Sequence, residues 1–297
     1  MTRALLALVL LALASPALGT SANPESVRVV EPPELSAARG FSRTGGVNAI
    51  TVFVGGSNSD VDSVEEVIWT TGGAYTFITA ADELRIKASG SPADIYSGNG
   101  AREVVVEGLD ASWNRISEVI QTKGAAASAK TSQKFIRLNR AYVRLAGTYT
   151  ASNTAAITIE TEAGTTLGVI PTEAGTTEMT QAIYSVPNGY AAYITGYAFT
   201  NSVTAGTVQK LWVRPRADNT TAPVPGQRLL STDVTAAKTG SWYYNYDAPI
   251  YVPPKSDVWA AASGSANDYA TAYFEIYLVP DVPAPTPSPI PSPTPTP

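Results

Sequence analysis

Short β-prone runs follow one another along this sequence at intervals of about ten residues, each stopped by glycine, asparagine or proline, and this punctuation most restricts the folds open to it. Residues 49–54 (AITVFV) end at Gly55-Gly56, and 66–69 (EVIW) at Gly72-Gly73, with 75–78 (YTFI) directly after. Residues 84–87 (LRIK) alternate faces, and 103–107 and 116–120 flank a turn through Asp110 and Asn114, which reads as a hairpin. A second hairpin is expected from 156–160 and 167–170 around Glu-Ala-Gly-Thr-Thr, a turn sequence that recurs at 173–177. Further strands are expected at 182–186, 191–199, 208–213, 250–252, 257–261 and 270–279, with Pro187-Asn188-Gly189 read as a tight hairpin turn between two of them. No helix of ten residues is expected after the N-terminus. The pattern predicts an all-β chain of two consecutive β-sandwich, jelly-roll-like domains, 47–170 and 171–281, divided near Pro171.

The two ends read differently. Residues 1–22 carry Arg3, the apolar run 4–14 and then small residues, which is the pattern of a secretory signal. That run is too short to span a bilayer, and no later stretch is apolar enough, so no integral membrane segment is expected in the mature chain. Residues 23–46, broken by Pro24, Pro32 and Pro33, read as an arm or linker, and the Pro/Thr/Ser-rich 282–297 as an extended polyproline spacer.

The chain has neither histidine nor cysteine, and only 15% of its residues are charged. Thiol and Ser-His-Asp nucleophiles, His or Cys zinc sites and disulfides are thereby excluded. A net charge of −5 without a basic stripe argues against nucleic acid. The densest cationic stretch, with Lys134, Arg137, Arg140 and Arg144, reads as a solvated strand face or subunit contact rather than an anion site.

Carboxylate pairs are what remains for catalysis. Glu103 and Glu107 would share a strand face about 13 Å apart, too far for a glycosidase pair, and Glu160 with Glu162 reads as solvated edge charge. A hydrolase is therefore not expected, and no cofactor is implied. Asn58, Asp60 and Asp62 offer alternating oxygen ligands for calcium, but Ser63 and Trp69 stand where an EF-hand loop needs Gly and Glu, so a plain polar loop is the first reading and an irregular calcium loop the second. Trp242, Tyr243, Tyr244, Asn245, Tyr246 and Asp247, followed by Tyr251, concentrate rings in one strand. Alternation places Trp242, Tyr244 and Tyr246 on one side and Tyr243 on the other, a set that suits core, subunit interface or a sugar-stacking platform with Asn245 and Asp247 as polar partners. Trp212, beside Arg214 and Arg216, is a further candidate.

Residues 68–77 and 97–114, with 135–143, and the run 182–195 (AIYSVPNGYAAYIT) resemble virion structural proteins of tailed phages of marine type. The resemblance spans about residues 60–280 and implies a β-rich capsid-decoration, head-fibre or tail-associated protein that assembles with itself and with virion proteins. The signal-like N-terminus and the Pro-rich tail depart from that pattern. They leave open a secreted or surface-attached module that binds a glycan or a surface protein. Localisation is accordingly expected on a virion, or outside the cell if the signal is genuine.

Overall fold

The structure, a computed structural model, describes residues 49–147, 152–172, 177–201, 207–219, 225–234, 240–264 and 268–281. The signal-like segment, the arm, most of the second Glu-Ala-Gly-Thr-Thr turn and the Pro-rich tail lie outside the described residues. Those described form sixteen strands and no helix: β1 (Ile50–Val61), β2 (Glu66–Val67), β3 (Asp82–Ala88), β4 (Ala101–Leu109), β5 (Arg115–Gln121), β6 (Lys134–Phe135), β7 (Arg137–Ala146), β8 (Ile157–Thr161), β9 (Thr166–Ile170), β10 (Ile183–Ser185), β11 (Tyr190–Asn201), β12 (Thr207–Arg214), β13 (Gln227–Val234), β14 (Gly240–Val252), β15 (Asp257–Ser263) and β16 (Asp268–Pro280). The chain is all-β with antiparallel sheets, as its punctuation predicts.

Pairing does not follow chain order. One sheet runs β1-β16-β11-β14, and the facing one runs β10-β15-β12-β13 with β2 also on β15. Eight strands in these two orders make a double-sheet jelly roll closed by the first and last strands, with Ile50 opposite Leu278 and Ser57 opposite Thr271. The second sandwich, β6-β3-β8-β9 against β5-β4-β7, lies wholly within the connection between β2 and β10. A division at Pro171 groups β1 and β2 with this second sandwich, whereas their hydrogen bonds run to β16 and β15. The reason is burial. Val54, Val61 and Ile68 fill the same core as Tyr197, Phe199, Phe274 and Leu278, while Leu84, Val104, Phe135, Leu138 and Ile159 fill the other. Each fully buried side chain of this size contributes about 1.5–3 kcal/mol.

Several local expectations change for similar reasons. β1 does not stop at Gly55-Gly56 but continues to Val61. A Cβ at Gly56 would collide with the backbone of Ala182, so only glycine lets the strand pass there. The 75–78 run is not a strand. Its rings instead extend a chain of contacts, Trp69 on Tyr75, Tyr75 on Phe77 and Phe77 on Trp259, with centroid distances of 5.0, 4.9 and 5.6 Å. Pro187-Asn188-Gly189 does reverse the chain, with Gly189 at φ 74°. It is a corner between sheets rather than a hairpin, because β10 pairs with β15 and β11 with β14 and β16. The hairpins β4–β5 and β8–β9 form as expected.

The two sandwiches are joined by a buried ion pair. Arg137 Nε and Nη2 donate to the two carboxylate oxygens of Asp257 at 2.8 and 3.1 Å, and Nη1 donates to the carbonyls of Ile78 and Ile136. Ser185 Oγ adds a 2.6 Å bond to Asp257, and the Arg137 guanidinium lies over the rings of Trp113 and Phe77. A buried charge is tolerated only when so fully paired. Arg137 is thus buried, contrary to the solvated strand face expected for the 134–144 stretch.

Candidate functional site

The outer face of the β1-β16-β11-β14 sheet is the most unusual surface among the described residues. Strand alternation sends Val54, Phe274, Tyr197 and Phe199 inward and Phe53, Tyr273, Ala198 and Tyr243 outward. Neighbouring apolar side chains left in water as one patch mark interaction sites, whereas singly exposed ones do not. Phe53 sits opposite Glu275, and Tyr273 and Tyr243 flank Ala198 in register. A cleft of about 1010 Å³ opens there. Its floor is this face and the edge of β1, and its far wall is Arg115, Ile116 and Ser117 of β5 with Asn139 and Arg140 of β7. Thr195 Oγ1 donates to Glu275 Oε2 at 2.8 Å, and the Asn139 amide donates to the Ser185 carbonyl while its oxygen accepts from the Ser185 N–H.

The aromatic segment 242–246 divides between the two faces. Among the described residues β14 is an edge strand, paired with β11 alone. Trp242 stacks on Phe199, centroids 5.0 Å apart, and Tyr244 lies parallel to the same ring at 6.2 Å. Trp242 and Tyr246 pack against the jelly-roll core, so these two rings serve the core side of the sheet. Burial pushes the Tyr246 phenol up to about 12, and its hydroxyl is buried without a hydrogen-bond partner. A register irregularity opposite Ile194 and Gly196 lets residues 246–249 bow out, leaving Asp247 exposed. Tyr243 alone of the segment's rings reaches the cleft. Asn245 is exposed opposite Gly196, and Tyr251 is exposed further along the outer face, edge-on to Tyr193 at 5.6 Å. Trp212 is elsewhere: it stacks on Trp259 at 6.1 Å in the opposite sheet. Phe53 and Tyr273 were not singled out by sequence reasoning. The strict alternation of 51–55 and of 271–277 carried that signal, because it puts both rings on the face away from the core.

The calcium candidates do not converge. Asn58 is buried, its amide donating to Glu66 Oε2 at 2.9 Å and its carbonyl oxygen accepting from the Asp60 backbone N–H. Asp60 and Asp62 are exposed, and no group of three or more acidic, His or Cys side chains gathers among the described residues. Asn58 instead ties β1 to the 66–67 segment.

The carboxylates weighed for catalysis, Glu103, Glu107, Glu160 and Glu162, are held in ion pairs. Burial works to raise the Glu160 pKa, but salt bridges to Lys87 and Arg85, both at 2.6 Å, leave it lowered. Glu162 pairs with Lys130 at 2.7 Å, Glu65 with Lys210, Glu107 and Glu178 with Arg140, and Glu103 with Arg144 at 3.8 Å. A general acid needs a carboxyl with a raised pKa, and the pairings of Glu160 act in the opposite direction.

No protein-family model matches the chain, and no curated protein does. Among solved structures, the chain is similar to that of the Gx strain of infectious bursal disease virus, at 8% identity over 80% of this chain and 74% of that one, with a TM-score of 0.25. It is similar also to the T13 viral particle of that virus, at 10% identity over 78% and 73% with a TM-score of 0.21. The VP2 subviral particle of the same virus gives 9% identity over 84% and 78%, with a TM-score of 0.20. At such scores the likeness carries no argument about function.

Proposed function

We propose that this chain is a non-enzymatic structural protein of a virus particle, acting through oligomeric contacts between copies of its β-sandwiches. The observation that carries the reading is the strand order, β1-β16-β11-β14 facing β10-β15-β12-β13. Eight-stranded double-sheet jelly rolls of this kind recur in viral capsid domains, lectins and cupins, an analogy of fold rather than of chemistry. The sequence resemblance to tailed-phage virion proteins points the same way, toward a capsid-decoration, head-fibre or tail-associated place. The ion-paired carboxylates and the lack of histidine and cysteine support a role without catalysis. Exposed Tyr251 and Tyr269 supply apolar surface for contacts between copies.

Light scattering and intact mass of the full chain, expressed with its native N-terminus, test the proposal. A trimer or larger assembly, stable on dilution and retaining Met1, is expected. A monomer recovered from the periplasm without its first 19 to 22 residues contradicts it and favours a secreted binding module.

A further inference from the structure

The cleft on the outer face holds three rings that the packing of the fold does not require. Phe53 is 80%, Tyr243 63% and Tyr273 54% exposed, and all three line it. Two glycines seat the tyrosines. A Cβ at Gly55 would collide with the Tyr273 ring, and one at Gly196 would come within 3.1 Å of the Tyr243 hydroxyl. The two side chains therefore lie along the sheet instead of standing off it, which leaves ring faces open to the cleft. Tyr273 and Tyr243 flank Ala198 across two strand spacings, about 10 Å, close to the length of a disaccharide.

The cleft's charged groups are Glu107, Arg115, Arg140, Glu178 and Glu275. Arg140 is paired with Glu107 and Glu178. Glu275 keeps one carboxylate oxygen beyond its bond to Thr195, and Arg115 has no ion-pair partner among the described residues. One acceptor and one planar donor group of opposite sign, beside flat apolar rings and without a strong surplus of charge, match a ligand with apolar ring faces and a rim of hydroxyls. We propose that the cleft binds a neutral polysaccharide chain, with sugar rings stacked on Tyr243, Tyr273 and Phe53 and hydroxyls held by Arg115 and Glu275. This site is independent of whether the chain assembles into a particle. An extended peptide added to the edge of β1 that no described strand occupies is the competing occupant, since residues 51–55 all border the cleft. Strand addition would use main-chain groups and leave the seated rings without a role.

Electrophoresis of the full chain through gels containing dextran, laminarin, starch or agarose tests this, with alginate and hyaluronan as anionic comparisons. Retardation by at least one neutral polymer is expected, weakened at least tenfold in Phe53→Ala and in Tyr243→Ala and unchanged in Tyr96→Ala, an exposed ring outside the cleft. Phe53 supports no core, so Phe53→Ala keeps the wild-type melting temperature and isolates the ring's contribution to binding. No retardation by any neutral polymer, or equal retardation of all variants, overturns the proposal. Retardation by the anionic polymers alone, abolished by salt, also overturns it. So does capture of an extended peptide whose binding survives Phe53→Ala.

Discussion

At the residue scale, the fold depends on a few polar groups buried with all their partners present. Asp94 is fully buried, yet its carboxylate accepts from the backbone N–H groups of Ala101, Thr154 and Ala155 at 2.8–3.0 Å and so gathers three segments of the second sandwich. Gly100 is required beside it, because a Cβ there would collide with that carboxylate. Arg137 and Asp257 do the same between the sandwiches. Removing either partner leaves the other charge buried and alone, so Arg137→Ala and Asp257→Ala should each cost about 3–5 kcal/mol in urea unfolding. Their combined loss in the double variant should fall well short of the sum. Additive losses would mean that the pair is not coupled. Tyr246 is the counterexample: its buried hydroxyl has no partner, a cost of about 1–3 kcal/mol that the surrounding packing must offset.

At the scale of the strand, what sequence reasoning could see was local. Alternation and turn chemistry located most strands, including 270–279, and the β4–β5 hairpin, where the Asp110 carboxylate accepts from the N–H groups of Ser112 and Asn114. β13 (Gln227–Val234) went unseen, since Gln-Arg-Leu-Leu-Ser-Thr-Asp-Val alternates weakly. Sheet partnership was not legible either. Nothing in the Pro-Asn-Gly turn states that β10 has its bonding edge engaged by β15, and nothing in residues 50–61 states that their partner lies two hundred residues away. Alternation correctly placed Trp242 and Tyr243 on opposite faces of β14 but could not say which face met the core. The stack of Trp242 on Phe199 decides it. Trp242→Ala should therefore lower stability by about 2 kcal/mol, as expected for a half-buried ring. Tyr243→Ala should cost less than half of that. Chemical denaturation of the two variants side by side checks the assignment, and the reverse ranking would turn the strand over.

At the scale of the molecule, titration sets the limits of stability. Without histidine, almost nothing ionises between about pH 5.5 and 9, so the melting temperature should be nearly flat over that interval. Above it, Tyr75, Tyr184 and Tyr197 have pKa values raised chiefly by burial. A phenol whose folded pKa exceeds its unfolded one contributes stability that is complete below about pH 10 and is lost as pH rises toward the folded value. On the acid side, the lowered Glu160 pKa works in the opposite sense. Its contribution is present above about pH 4.5 and is lost as pH falls through the folded pKa. Thermal melts from pH 3 to 11 should trace a plateau with two falling edges. A sloping plateau would contradict this distribution of charge.

The assembly and cleft proposals both stand on one structural claim, that the first and last strands close a single jelly roll around an inserted sandwich. Because the chain has no cysteine, a double variant reads that claim without interference. Ser57 and Thr271 are opposite one another in the β1–β16 register, and both lie on the outer face. Ser57→Cys with Thr271→Cys should oxidise to one intramolecular disulfide and raise the melting temperature, since the closed loop spans most of the chain. The intact mass of the unreduced protein gives the answer: loss of two hydrogens within a monomer-sized chain supports the closed fold. Two free thiols under the same oxidation would place β1 away from β16 and return it to the sandwich that follows it in the sequence.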